Sequence, residues 1–182
     1  MKTIKLLAIL FIATLTFTAC SSDDHDDDHD HEEELITTIT YTLTNGNDVV
    51  TLKFTDIDGE GGNPGTYAVS GPLTASTTYT GAIKLENETE NPADNITTEV
   101  AAEADEHEFF YTTTVAGTTI AKTDMDGNGN PLGITTTVTT GAAGTGTLSV
   151  ILKHEPTKPN SGTATSAGGS TDVEITFNIT VQ

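Results

Sequence analysis

Arginine and tryptophan are absent from this 182-residue chain and lysine is scarce, so 7 basic side chains face 27 acidic ones, a formal charge of −20. Without arginine no bidentate phosphate clamp can form, and the few lysines are scattered, which excludes nucleic acid as a partner. A single cysteine excludes an internal disulfide framework and any multi-cysteine zinc knuckle. Whatever holds the fold together is therefore burial and backbone pairing. What the chain has in excess is threonine, 38 residues, with 17 glycines. The length suits one ordinary domain.

The one long apolar run lies in residues 1–19, where Lys2 and Lys5 precede or interrupt an apolar stretch that ends in small residues before Cys20. It is shorter than the roughly 20 apolar residues that span a bilayer, and reads as a secretory signal peptide. Phe17-Thr18-Ala19-Cys20 resembles a bacterial lipobox, with Phe17 where leucine is usual. That resemblance implies an acylated Cys20 as the first mature residue, against the plainer reading of an unmodified thiol ending an ordinary signal peptide. Loss of residues 1–19 would remove two lysines and no acid, leaving 5 basic against 27 acidic side chains and a charge of −22. Several acyl chains on one N-terminus hold a protein at a membrane without spanning it. The expectation is a lipid-anchored protein.

Residues 20–34 continue as a lipidated cysteine and an acidic leash, SSDDHDDDHDHEEE, with nine carboxylates and three imidazoles. Nothing in it is apolar, so it is expected to be an extended, disordered tether. Imidazoles at His25, His29 and His31, bracketed by Asp24, Asp26, Asp28 and Asp30, also make a loosely organised candidate site for Zn, Cu or Ni. The alternative is a solvated spacer or export signal, and the two roles are compatible.

From Leu35 to the end the pattern changes to β-branched residues alternating with polar ones, the period of strands with one buried face. Nine strands are predicted: 35–43, 49–55, 66–70, 77–86, 107–114, 118–122, 134–139, 147–154 and 173–181. One short helix is expected over 96–106, capped by Asn95 or Asp94. TDIDGEGGNPG at 55–65 recurs as TDMDGNGNPLG at 123–133, about 68 residues later. This suggests a diverged tandem duplication merged into a single domain, the second copy replacing the helix by a Gly/Ser/Thr/Pro-rich loop. Leu73, Tyr79, Ile83 and Leu85 resemble an immunoglobulin or fibronectin type III segment, with Tyr79 as a corner tyrosine capping nearby backbone and Gly81 where an apolar residue is usual. The expected fold is an all-β antiparallel sandwich of that kind, with a closed β-barrel as the alternative.

Within this domain the two repeated loops carry alternating oxygen ligands around a glycine: Asp56, Asp58 and Glu60 in the first, Asp124, Asp126 and Asn128 in the second. That is a truncated calcium-loop pattern, while Tyr67 and Thr135 at the closing positions exclude a full EF-hand. The plainer reading is two tight turns. His107 and His154 are expected at the surface, with nothing in the sequence to bring them together. Asn87, Asn95 and Asn178 match glycosylation sequons, for which chance in a threonine-rich bacterial chain is the better account. No serine elbow, zinc-binding His-Glu helix, phosphate loop or spare cysteine nucleophile is present, so an enzyme is not expected.

The lipobox, the Asp/His linker, Glu34–Thr38, Asp56–Gly59, Thr77–Gly81 and Ala104–Phe110 together resemble a group of small Bacteroidota outer-membrane lipoproteins. Members often carry the label type 1 periplasmic binding fold superfamily protein. That fold alternates strands and helices in two lobes, whereas the pattern here is of strands with one short helix. The resemblance implies outer-membrane location, surface-exposed or facing the periplasm. Two functions are expected. One is a non-catalytic envelope protein binding divalent metal through its Asp/His string for an outer-membrane receptor. The other is an adhesion or scaffold module for a cell-surface ligand.

Overall fold

The computed structural model describes residues 34–59 and 62–182. Cys20, the string ligands Asp24, His25, Asp26, Asp28, His29, Asp30 and His31, and the loop residue Glu60 lie outside them. The described residues form one compact unit.

All nine expected strands are present: β1 (Thr38–Asn45), β2 (Asp48–Thr55), β3 (Thr66–Val69), β4 (Thr78–Glu86), β5 (His107–Thr113), β6 (Thr119–Lys122), β7 (Thr135–Thr139), β8 (Gly144–His154) and β9 (Ser170–Val181). They pair antiparallel into two sheets, one ordered β3-β2-β1-β4-β7-β6 and the other β5-β8-β9. The molecule is an all-β sandwich, and the two separate sheets rule out the closed barrel. Apolar side chains at alternate positions, such as Ile39, Tyr41 and Leu43 on β1 and Leu148, Val150 and Leu152 on β8, fill one continuous core. Each fully buried side chain of this size stabilises the fold by about 1.5–3 kcal/mol.

Threonine suits both faces. Several outward threonines on or just beyond neighbouring strands bond hydroxyl to hydroxyl, as in Thr78 with Thr139 and Thr123 with Thr135. Such cross-strand pairs reinforce the register that burial sets. Inside, Thr136 is fully buried and its hydroxyl bonds that of Tyr41 at 2.6 Å. Gly81 lies against this pair, which explains why no apolar residue stands there: a Cβ would fall 2.3 Å from Thr136 Oγ1. Tyr79 takes the corner role expected of it, its hydroxyl accepting the Thr74 N–H at 2.8 Å and donating to Asp48.

The helix α1 (Ile96–Ala102) is shorter than expected, and Asn95 stands at its N-cap without a side-chain capping bond. The loop thought to replace its counterpart holds a single helical turn, α2 (Ala164–Ala167), capped by the Thr163 side chain. Offset by about 68 residues, α1 and α2 correspond, as do β2–β3 and β6–β7 with their DxDG connections. The pairs β1–β4 and β5–β8 correspond likewise, and are antiparallel neighbours in different sheets.

Candidate metal centre

Pairing of β5 with β8 sets His107 directly opposite His154. Both fall in the inward phase of their strands, His107 in step with Phe109 and His154 in step with Val150 and Leu152, so both are buried. This overturns the expectation of two unrelated surface histidines. Their imidazoles stack with ring centres 4.7 Å apart.

Two carboxylates join them from other segments. On β9, Leu152 pairs Val173 and Lys153 pairs Thr171, leaving Asp172 as the extra residue of a β-bulge. Bulges re-aim side chains, and Asp172 sits with its side chain 2% exposed and Oδ2 3.9 Å from His107 Nε2. Glu34, which the sequence assigns to the leash, is drawn into the body instead. Its side chain is 8% exposed, with Oε1 3.5 Å from the same Nε2. The four residues Glu34, His107, His154 and Asp172 each offer a ligand atom, all within 4.8 Å of one another. His154 also belongs to a neighbouring group with Glu106 and Glu155, its Nε2 lying 3.8 Å from Glu106 Oε2.

The protonation of His107 follows from its surroundings. Its Nδ1 lies 3.2 Å from the Glu103 carbonyl oxygen, which can only accept, so Nδ1 carries a hydrogen and donates it. Nε2 is then turned toward the Glu34 and Asp172 carboxylates. Among the described residues neither His107 Nε2 nor Glu34 Oε2 has a hydrogen-bond partner, although both are buried. A lone pair facing carboxylates in the interior is unfavourable unless a positive charge lies between them. A proton would satisfy one ring. A divalent cation satisfies the convergence of all four, since two neutral imidazoles and two carboxylates carry −2 in total. The Nδ1–H bond to Glu103 is the outer support that metal-ligating histidines use to fix their tautomer. Lys158 steadies the same backbone, its ammonium donating to the Ala104 and His107 carbonyls at 2.6 Å each.

Beside the cluster opens a cleft of about 570 Å³ whose lining includes Glu34, Asp56, Asp172 and Glu174. Four carboxylates on one concave surface concentrate cations at its mouth.

The described carboxylates of the DxDG loops bond within their own turns. In the second, Asp124 accepts the N–H groups of Gly133 and Thr135. Asp126 accepts those of Asn128 and Asn130, together with the Asn130 amide. The Lys158 ammonium stands 3.4 Å from Asp126. In the first loop Asp56 accepts from Gly59, and Asp58 from the Asn63 backbone and amide. The carboxylates are thus engaged in closing their own turns, and Asn128 contributes its backbone N–H. These contacts are those of turn residues, and neither loop belongs to a ligand cluster among the described residues.

The sequence did carry a signal for the histidines, their place in the apolar phase of two strands. It carried none for Asp172, whose position in the alternation points outward until the bulge turns it. Comparison of the chain with family models, with curated proteins and with solved structures finds no match.

Proposed function

We propose that the protein is a lipid-anchored, non-catalytic component of the cell envelope that binds a divalent transition metal in its β-sandwich for an outer-membrane uptake system. The convergence of His107, His154, Glu34 and Asp172 carries this reading. It moves the principal site from the Asp/His string into the body, where the ligands are fixed by strand pairing and by a bulge. The string's His25, His29 and His31 remain weak ligands in the same chain. The lipobox ending at Cys20 supports the anchor, and no helix of the described residues is long and apolar enough to cross a membrane. The four protein ligands suit holding an ion, because a catalytic centre keeps a coordination position open for water or substrate.

The test is the untagged protein released from native membranes by detergent. Intact mass should show an acylated Cys20, and elemental analysis should find bound transition metal in a fixed ratio to protein. An unmodified thiol would overturn the anchor. Metal-free protein from metal-replete cells would overturn the binding role and leave the adhesion or scaffold reading standing.

A further inference from the structure

The centre gathers residues from separate parts of the molecule. His107, His154 and Asp172 belong to the β5-β8-β9 sheet, whereas Glu34 precedes β1, a strand of the other sheet. Glu34 is also the last carboxylate of the acidic string. An ion bound here links the segment that precedes β1 to the β5-β8-β9 sheet.

The donor set selects among cations. Two imidazole nitrogens with two carboxylate oxygens are poor ligands for calcium or magnesium, which take six or more oxygens. They suit zinc, which binds histidine nitrogen and Asp or Glu oxygen alike and prefers four-coordinate geometry. A zinc tetrahedron with bonds near 2.1 Å has edges of about 3.4 Å. The His107–Glu34 separation of 3.5 Å is close to that edge and the His107–Asp172 separation of 3.9 Å slightly beyond it. The separations in the group reach at most 4.8 Å, so a tetrahedral ion would draw the widest pair together by up to about 1.4 Å. The independent sign of a ligand is His107 Nε2, on a side chain 0% exposed, aimed at the carboxylates and without a hydrogen-bond partner among the described residues.

Resting on the metal-binding reading above, we infer that the centre is a closed four-ligand zinc site whose occupancy clamps Glu34, and with it the start of the body, onto the β5-β8-β9 sheet. Zinc is the chemical class it takes, and the clamp is its consequence: residues 34–37 are held more tightly when the ion is bound.

The experiment uses the untagged full chain with His25, His29 and His31 changed to Asn, so that only the body reports. Zinc titration should give one site per chain, unaffected by excess calcium or magnesium. Cobalt(II) in its place should give the intense visible bands of a tetrahedral complex. Asp172→Asn and Glu34→Gln should each weaken zinc binding by roughly 100-fold, at least the loss seen on removing outer supports of such sites. Glu34 lies outside every strand, and the circular dichroism spectrum of Glu34→Gln should match that of the parent. Hydrogen exchange should slow at residues 34–37 on adding zinc in the parent and not in Glu34→Gln. If the three-Asn protein binds no transition metal, the metal-binding reading itself fails. If it binds zinc with an octahedral cobalt spectrum, with no loss in Glu34→Gln or with no protection at 34–37, that reading survives and the clamp is overturned.

Discussion

A buried carboxylate is stable as an ion only when donors surround it, and Asp126 shows how the second DxDG loop meets that demand. Burial pushes its carboxyl up, but the Asn130 and Asn128 backbone N–H groups, the Asn130 amide and the Lys158 ammonium outweigh it and hold the group down at about 2. The unfolded value is about 3.9. Since the folded value is the lower, ionised Asp126 stabilises the fold above about pH 4, and this contribution is lost as the pH falls through about 2. Asp126→Asn should therefore be less stable than the parent above about pH 4, the difference shrinking toward zero near pH 2. Urea midpoints across that range measure it, and a difference that stays constant down to pH 2 would show that the charge of Asp126 contributes nothing. Tyr41 is a different case, a phenol that burial pushes well above its ordinary value, so that it stays protonated and bonded to Thr136.

Strands are the scale at which the sequence was most legible. β9 alternates Val173, Ile175, Phe177, Ile179 and Val181 with polar residues, and burial follows that alternation along most of the strand. The period of two is a local property, so it survives without knowledge of neighbours. Which strands neighbour which is not local. His107 and His154 are 47 positions apart, and only the β5–β8 register makes them partners. The bulge at Asp172 is a departure from the pattern, invisible to any reading that relies on it. Gly81 is the converse, an exception visible in the sequence but explained only by the Tyr41 ring and Thr136 hydroxyl beside it. Gly81→Ala should accordingly destabilise the domain by about 2–3 kcal/mol, the cost of forcing a methyl into a packed core. Chemical denaturation would check this. A loss below about 0.5 kcal/mol would mean that β4 shifts freely away from β1, contrary to the close fit.

For the whole molecule the dominant fact is its excess of negative charge, with 27 acidic side chains in the chain and no arginine among its few cations. Self-repulsion of that size opposes compactness, and the sandwich relies on burial and strand pairing to overcome it. At the centre, Glu34 and Asp172 bring two of these carboxylates up against the paired histidines. A divalent ion there acts on the fold as a ligand of the native state, because the four donors are far apart in sequence and do not form a site in the unfolded chain. Zinc at about 100 times its dissociation constant should then stabilise the body by about 2.7 kcal/mol. For a domain of this size that corresponds to a rise of roughly 5–10 °C in Tm, reversed by a chelator. With His25, His29 and His31 replaced by Asn the rise should persist, since those residues lie outside the body. In Asp172→Asn, at the same zinc concentration, it should fall to about 1 °C, since a 100-fold weaker site is then only half filled. Calorimetry of the three proteins with zinc and with chelator decides the matter. A rise that disappears with the string histidines would return the metal to the leash, and one that persists in Asp172→Asn would take the bulge out of the site.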